Sequence, residues 1–116
     1  INFVGGVYEP NDKIYLRNNA VAYLHGHTVG GTNPSLVEAL GSRSLIIAHD
    51  NEFNRGVAED GALYFSGVDE LKKIFEDFSE HTAIFYRDAA DQVFEKYTHQ
   101  QINSLYLELI NVHYPK

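Results

Sequence analysis

Short β-branched and aromatic runs alternate along this chain with segments whose apolar residues recur every three to four positions, so the pattern predicts strands alternating with helices. Residues 1–4 read as a first strand closed by Gly5-Gly6, and Pro10 with Asn11 gives residues 8–12 the chemistry of a turn. One or two helical turns are predicted over 13–19, and a buried strand over 21–25, followed by a loop over 26–32. A helix then starts sharply, with Asn33 as N-cap, Pro34 in the first helical position, Leu36, Val37 and Leu40 on one stripe, and Gly41 as the stop. Residues 44–48 (Ser-Leu-Ile-Ile-Ala) form the continuous apolar run typical of a parallel strand buried on both faces. A loop over 53–60 leads to a strand over 62–65 and a helix over 68–78, where Leu71, Ile74, Phe75 and Phe78 stand at helical spacing. Two more helices close the chain. The first covers about 83–97; the second is announced by Thr98 with Gln101 three residues on, and carries Ile102, Leu105, Tyr106, Leu109 and Ile110.

This order predicts an α/β fold with a mostly parallel, Rossmann-like sheet and helices appended at the C-terminus. A length of 116 residues, 44% of them hydrophobic, fits one domain over 1–116. The net charge of −7 argues against a nucleic-acid binder with a broad basic face. The acidity is uneven: residues 1–58 carry four basic and five acidic side chains, residues 59–116 five and eleven. With no cysteine, disulfide scaffolds, thiolate metal sites and cysteine nucleophiles are excluded. No apolar run reaches the roughly 18 to 20 residues of a membrane span, and no signal segment opens the chain, which reads as soluble. There is no Met, and Ile1 opens an apparent strand, so the chain reads as a trimmed piece of a longer one.

In an open parallel α/β sheet, ligands collect beyond the carboxyl ends of the strands, where loops and helix N-termini point backbone N–H groups outward. The unusual polar residues of this chain gather at those ends: Gly5-Gly6, His25-Gly26-His27 and His49-Asp50-Asn51. The segment 25–38, HGHTVGGTNPSLVE, is the most informative. Gly30 and Gly31 let the main chain turn tightly and let a ligand approach it, and the helix opens at Pro34 with unsatisfied N–H groups and a positive partial charge. A phosphate or diphosphate fits there without an arginine cluster; an ordinary strand-to-helix turn capped by Asn33 fits the spacing equally well. Glu38, just over one turn inside, is placed to accept hydrogen bonds from sugar hydroxyls, or is simply a solvated helix residue. His25 and His27, two apart on a strand end, face the same side. With no thiol and no third ligand in view, hydrogen bonding or structural packing is favoured over a metal, and no cofactor is expected. Asp50 reads as a turn residue, and Arg55 pairs with phosphate or with Glu52, Glu59 or Asp60.

The run HGHTVGGTNPSLVEAL, followed by IIAHDNEFNR and ALYF, resembles the C-terminal nucleotide-sugar-binding lobe of GT-B glycosyltransferases of the group 1, bacterial rhamnosyltransferase-like family, over essentially the whole chain. The resemblance implies a partial doubly wound sheet and the donor-binding part of a retaining hexosyltransferase. Such an enzyme moves rhamnose or galactose from a dTDP- or UDP-sugar to a glycan or lipid-linked acceptor during capsule or surface polysaccharide synthesis. It implies a cytoplasmic place, peripheral at the inner face of the membrane, and no bound metal. Carried over residue by residue, backbone N–H groups of Gly31, Thr32 and Ser35 hold the diphosphate, Glu38 the ribose, and His27 or Asn33 the sugar or diphosphate, with His27 and Glu38 as the catalytic candidates.

Two family carboxylates are replaced: Gly30 stands eight positions before Glu38, and Gly56 follows Asn54-Arg55. The resemblance also implies that the first two strand-helix units of the lobe are missing, so the strand over 21–25 is expected to have a bare edge that pairs with a second copy or to see the first strand re-routed, and the piece alone to be inactive. The alternative is a non-catalytic α/β nucleotide-binding or interaction module.

Overall fold

The computed structural model describes residues 5–6, 8–28 and 34–98, with the side chains of Ile14 and Arg17 outside the description. The elements are α1 (Pro10–Asn19), β1 (Tyr23–His25), α2 (Pro34–Gly41), β2 (Ile46–His49), α3 (Glu52–Ala58), β3 (Ala62–Phe65), α4 (Val68–Glu76) and α5 (Glu80–Phe94). Short 3-10 turns occupy Glu59–Gly61 and Glu95–Tyr97. The fold is α/β: among the described residues β1, β2 and β3 form a parallel sheet in that order. No helix among them is long and apolar enough to cross a membrane.

Register and the two-residue side-chain period sort the strands onto two faces. Tyr23, Ile46 and Ala62 share one face with His25, Ala48 and Tyr64; Leu24, Ile47 and Leu63 share the other with His49 and Phe65. The first face carries the core. Leu36, Ala39 and Leu40 of α2, Val57 and Ala58 of α3, and Ala90 and Val93 of α5 cluster with Ile46, Ala48 and Ala62. As the central strand, β2 is buried on both faces at Ile46, Ile47 and Ala48, which is why its sequence is apolar without alternation. Small residues set the spacing of α5: a Cβ on Gly61 would lie 2.9 Å from the Ala90 Cα, so backbone meets backbone there.

The predicted helix at Pro34 and strand at Ala62–Phe65 are present with the expected bounds. Elsewhere the structure corrects the reading. The expected turn over 8–12 is the start of α1: the fixed φ of Pro10 suits a first helical turn, and the Glu9 carboxylate caps it by accepting from the Asp12 N–H at 3.0 Å. The strand expected over 44–48 is β2, Ile46–His49, because the Ser44 N–H is spent on the Ala39 carbonyl in closing α2. The loop expected over 53–60 is α3 and a 3-10 turn. Asn51 caps α3 and Val57 and Ala58 bury its end, which overrides the weak helix propensity of Asn54 and Gly56.

Helix α4 ends at Glu76, before Phe78, and its apolar stripe stays largely open, with Val68 80% and Phe75 55% exposed. Helix α5 starts at Glu80 because the Ser79 hydroxyl accepts from the Thr82 N–H at 3.1 Å. Its aromatic residues are not all core: Phe85 is exposed. The buried strand expected over 21–25 is β1, Tyr23–His25, the edge strand among the described residues, and it is buried only at His25, with Val21 and Leu24 exposed. The strand expected over 1–4 and the helix expected beyond Thr98 lie outside the described residues.

Candidate functional site

Parallel pairing brings the carboxyl ends of β1 and β2 side by side, and with them the segments His25-Gly26-His27 and His49-Asp50-Asn51. They are joined by two asparagine amides. Asn54 Nδ2 donates to the His27 carbonyl and to the His49 carbonyl, both at 2.9 Å, while Asn51 Nδ2 donates to the same His27 carbonyl at 3.0 Å. Asn51 Nδ2 also lies 3.1 Å from His49 Nδ1, and Asn51 Oδ1 accepts from the Asn54 N–H at 2.9 Å. Each amide hydrogen therefore has an acceptor, and Asn54, 4% exposed, is buried with its hydrogen bonds made. The effect is to pin the exit of β1, where the Gly-rich segment begins, to the exit of β2.

The histidines differ. His25 is 1% exposed on the core face, with Nδ1 3.0 Å from the Tyr23 hydroxyl, while its Nε2 is buried without a partner among the described residues. Burial, and secondarily the neighbouring His27, hold its pKa below the ordinary imidazole value. This is the packed structural histidine among the readings open for it. His27 is exposed, and its ring stacks on that of His25 with centroids 4.7 Å apart at 24°. His49 projects from the other face and packs edge-on against Phe65, centroids 5.8 Å apart. Among the described residues no three His, Asp or Glu side chains converge as a metal site would need.

Beside this end, Arg55 forks onto Asp50 through Nε to Oδ1 at 2.5 Å and Nη2 to Oδ2 at 2.9 Å, and its guanidinium lies 4.3 Å from the centre of the Tyr64 ring. Arg55 thus takes Asp50, and not Glu52, Glu59 or Asp60; Asp50 in turn is an ion-pair partner more than a turn residue, its backbone N–H donating to the Phe65 carbonyl at 2.8 Å. That hydrogen-bonded guanidinium lowers the Asp50 pKa. The Tyr64 hydroxyl donates to the Glu59 carbonyl at 2.6 Å, and burial pushes its pKa up to about 12.

Of the residues singled out in the sequence, Pro34, Ser35 and Glu38 stand on α2, with Glu38 exposed in its second turn and Ser35 half-buried in its first. Gly30, Gly31, Thr32 and Asn33 lie outside the described residues. Asn51 and Asn54 escaped the sequence reading as working residues. The signal was present in the Asn51-Glu52 pair, an N-cap followed by an acidic first turn, with Asn54 in the N3 position. A cavity of about 420 Å³ lies between α4, β3 and the start of α5, lined by Leu63, Tyr64, Ile74, Phe78 and Thr82 among others. The chain matches no protein-family model, no curated protein and no solved structure.

Proposed function

We propose that this chain is the donor-binding part of a GT-B-type, retaining glycosyltransferase that takes a hexose such as rhamnose or galactose from a dTDP- or UDP-sugar. The acceptor is a growing surface glycan or its lipid-linked precursor, and the enzyme works at the cytoplasmic face of the membrane. The observation that carries this reading is the convergence at one end of a parallel sheet. The exits of β1 and β2 are bound together there by Asn51 and Asn54, and the Gly-rich segment leaves from His27 toward a helix that opens at Pro34 and bears an exposed Glu38. Strand ends of this kind are where α/β sheets hold nucleotides. The parallel order β1-β2-β3 also agrees with the last three strands of a doubly wound sheet, taken in sequence.

In this reading, backbone N–H groups of Gly31, Thr32 and Ser35 hold the diphosphate, Glu38 accepts from the ribose hydroxyls, and His27 and Asn33 contact the sugar or diphosphate. As the glycosidic bond breaks, negative charge grows on the departing nucleotide diphosphate, and donors aimed at it lower the barrier. In this reading the edge of β1, unpaired among the described residues, takes a second copy. Thermal shift with UDP and dTDP, against adenine nucleotides, tests the reading: pyrimidine diphosphates raise the melting temperature of the wild type and not of Glu38→Ala. A folded chain indifferent to all of them supports a non-catalytic α/β module instead.

A further inference from the structure

Helix α4 turns part of its apolar stripe away from the domain. Ile74 lines the cavity against Leu63 of β3, and beside it that wall is charged, with Glu70, Lys73 and Asp77. Val68 and Phe75 instead line an outer groove of about 410 Å³ with Leu71, Lys72 and Glu76. None of the nine residues of α4 is buried, whereas α2, α3 and α5 each bury apolar residues. Apolar surface left in water on this scale is stabilised by association.

The charges beside the groove select the occupant. Lys72 and Glu76 stand one helical turn apart with Nζ to Oε1 at 3.8 Å, and their side chains are 72% and 62% exposed, so both remain open to a second partner. Consider a two-fold axis perpendicular to α4 and level with Ile74, which lays a second α4 antiparallel on the first. Because position 74 is midway between 72 and 76, Lys72 of each copy stands level with Glu76 of the other, and both pairs fall on one side of the seam. Phe75 of the two copies then meet near the axis. A parallel arrangement would set Lys72 against Lys72 and Glu76 against Glu76, and a partner of one charge sign would satisfy only one of the two groups.

We propose that the open face of α4 is an interface with a second copy of this chain, the helices antiparallel about a two-fold axis, Phe75 at the centre and two Lys72–Glu76 ion pairs across the seam. A contact of one short helix lies at the low end of interface sizes, so the dimer forms reversibly and at high concentration. This surface is separate from the β1 edge, and the inference does not depend on the nucleotide-sugar reading.

Sedimentation velocity of the whole chain from about 10 μM to about 1 mM tests it. The wild type is expected to pass from monomer to dimer over that range. Phe75→Asp should stay monomeric while melting like the wild type at a dilution where both are monomers. Lys72→Glu and Glu76→Lys, which each set like charges across the seam, should weaken the dimer at least about tenfold, and the double variant, with the charges exchanged, should recover it. Leu24→Lys, on the β1 edge, should leave this dimer intact. A wild type still monomeric at the highest concentration overturns the proposal, as does a dimer that survives Phe75→Asp. Single charge reversals that associate as tightly as the wild type overturn the antiparallel pairing.

Discussion

Asn54 reaches across from α3 to the main chain of His27, its amide 2.9 Å from that carbonyl, so the helix after β2 holds the exit of β1. Its second hydrogen goes to the His49 carbonyl at the same distance. Asn54→Ala should cost about 2 kcal/mol, because the half-buried His49 carbonyl loses the amide donor, the His27 carbonyl keeps only that of Asn51, and a void is left behind. Urea unfolding should show a lower midpoint with an unchanged slope. An unchanged midpoint would mean that the two carbonyls are satisfied without Asn54.

The approach of α5 to the turn before β3 depends on Gly61. A methyl group there would meet the Ala90 Cα at 2.9 Å and the Ala90 N at 3.3 Å, and a backbone cannot step aside. Gly61→Ala should destabilise by about 1–3 kcal/mol, the usual range for overpacking. At Gly41 the added carbon would meet the Phe94 ring at 2.8 Å, a side chain that can shift, and α2 gains helix propensity. Thermal melts should therefore rank Gly61→Ala well below Gly41→Ala.

The buried His25 ring gives stability a pH dependence. Its folded-state pKa lies below the ordinary value of about 6.5, so the unfolded chain binds the proton more readily. Its contribution is present above the unfolded pKa and is lost as pH falls from there through the folded value. Stability curves of the wild type and His25→Gln, measured from pH 8 downward, should diverge in slope below about 6.5, with the variant flatter. Parallel curves would show that His25 keeps its ordinary affinity for protons when folded.

Tyr64 works in the opposite direction. Burial favours its neutral phenol, and its pKa stands at about 12 against an ordinary 10. The stability it adds is complete below pH 10 and disappears as pH climbs toward 12. The difference in ultraviolet absorbance between wild type and Tyr64→Phe should show one phenol ionising in that upper range, and ionisation near pH 10 would contradict the burial.

Much of the sheet was legible because its signals are local. Asn33-Pro34 with Leu36, Val37 and Leu40 announces α2, and the β2 run is apolar because the strand is central. Helix α3 was not legible: Val57 and Ala58 are its only buried apolar residues, and its other buried position is the polar Asn54, which reads as loop chemistry. The pairing of Arg55 with Asp50 was hidden too. It joins a residue just past a strand and before the α3 cap to one five positions on inside that helix, a separation that matches no i,i+3 or i,i+4 helical pair. The open stripe of α4 is an effect of tertiary packing, which amphipathic spacing alone does not reveal.

The central claim is that the end of this sheet grips a pyrimidine nucleotide diphosphate with Glu38 on its ribose. Isothermal titration of the chain with UDP and dTDP, beside ADP and Glu38→Ala, tests it most directly. Saturable binding of a pyrimidine diphosphate that ADP does not match, weakened by about tenfold when Glu38 loses its carboxylate, is the predicted result. Heats no larger than dilution for a folded chain, or equal affinity with and without the Glu38 carboxylate, would contradict it.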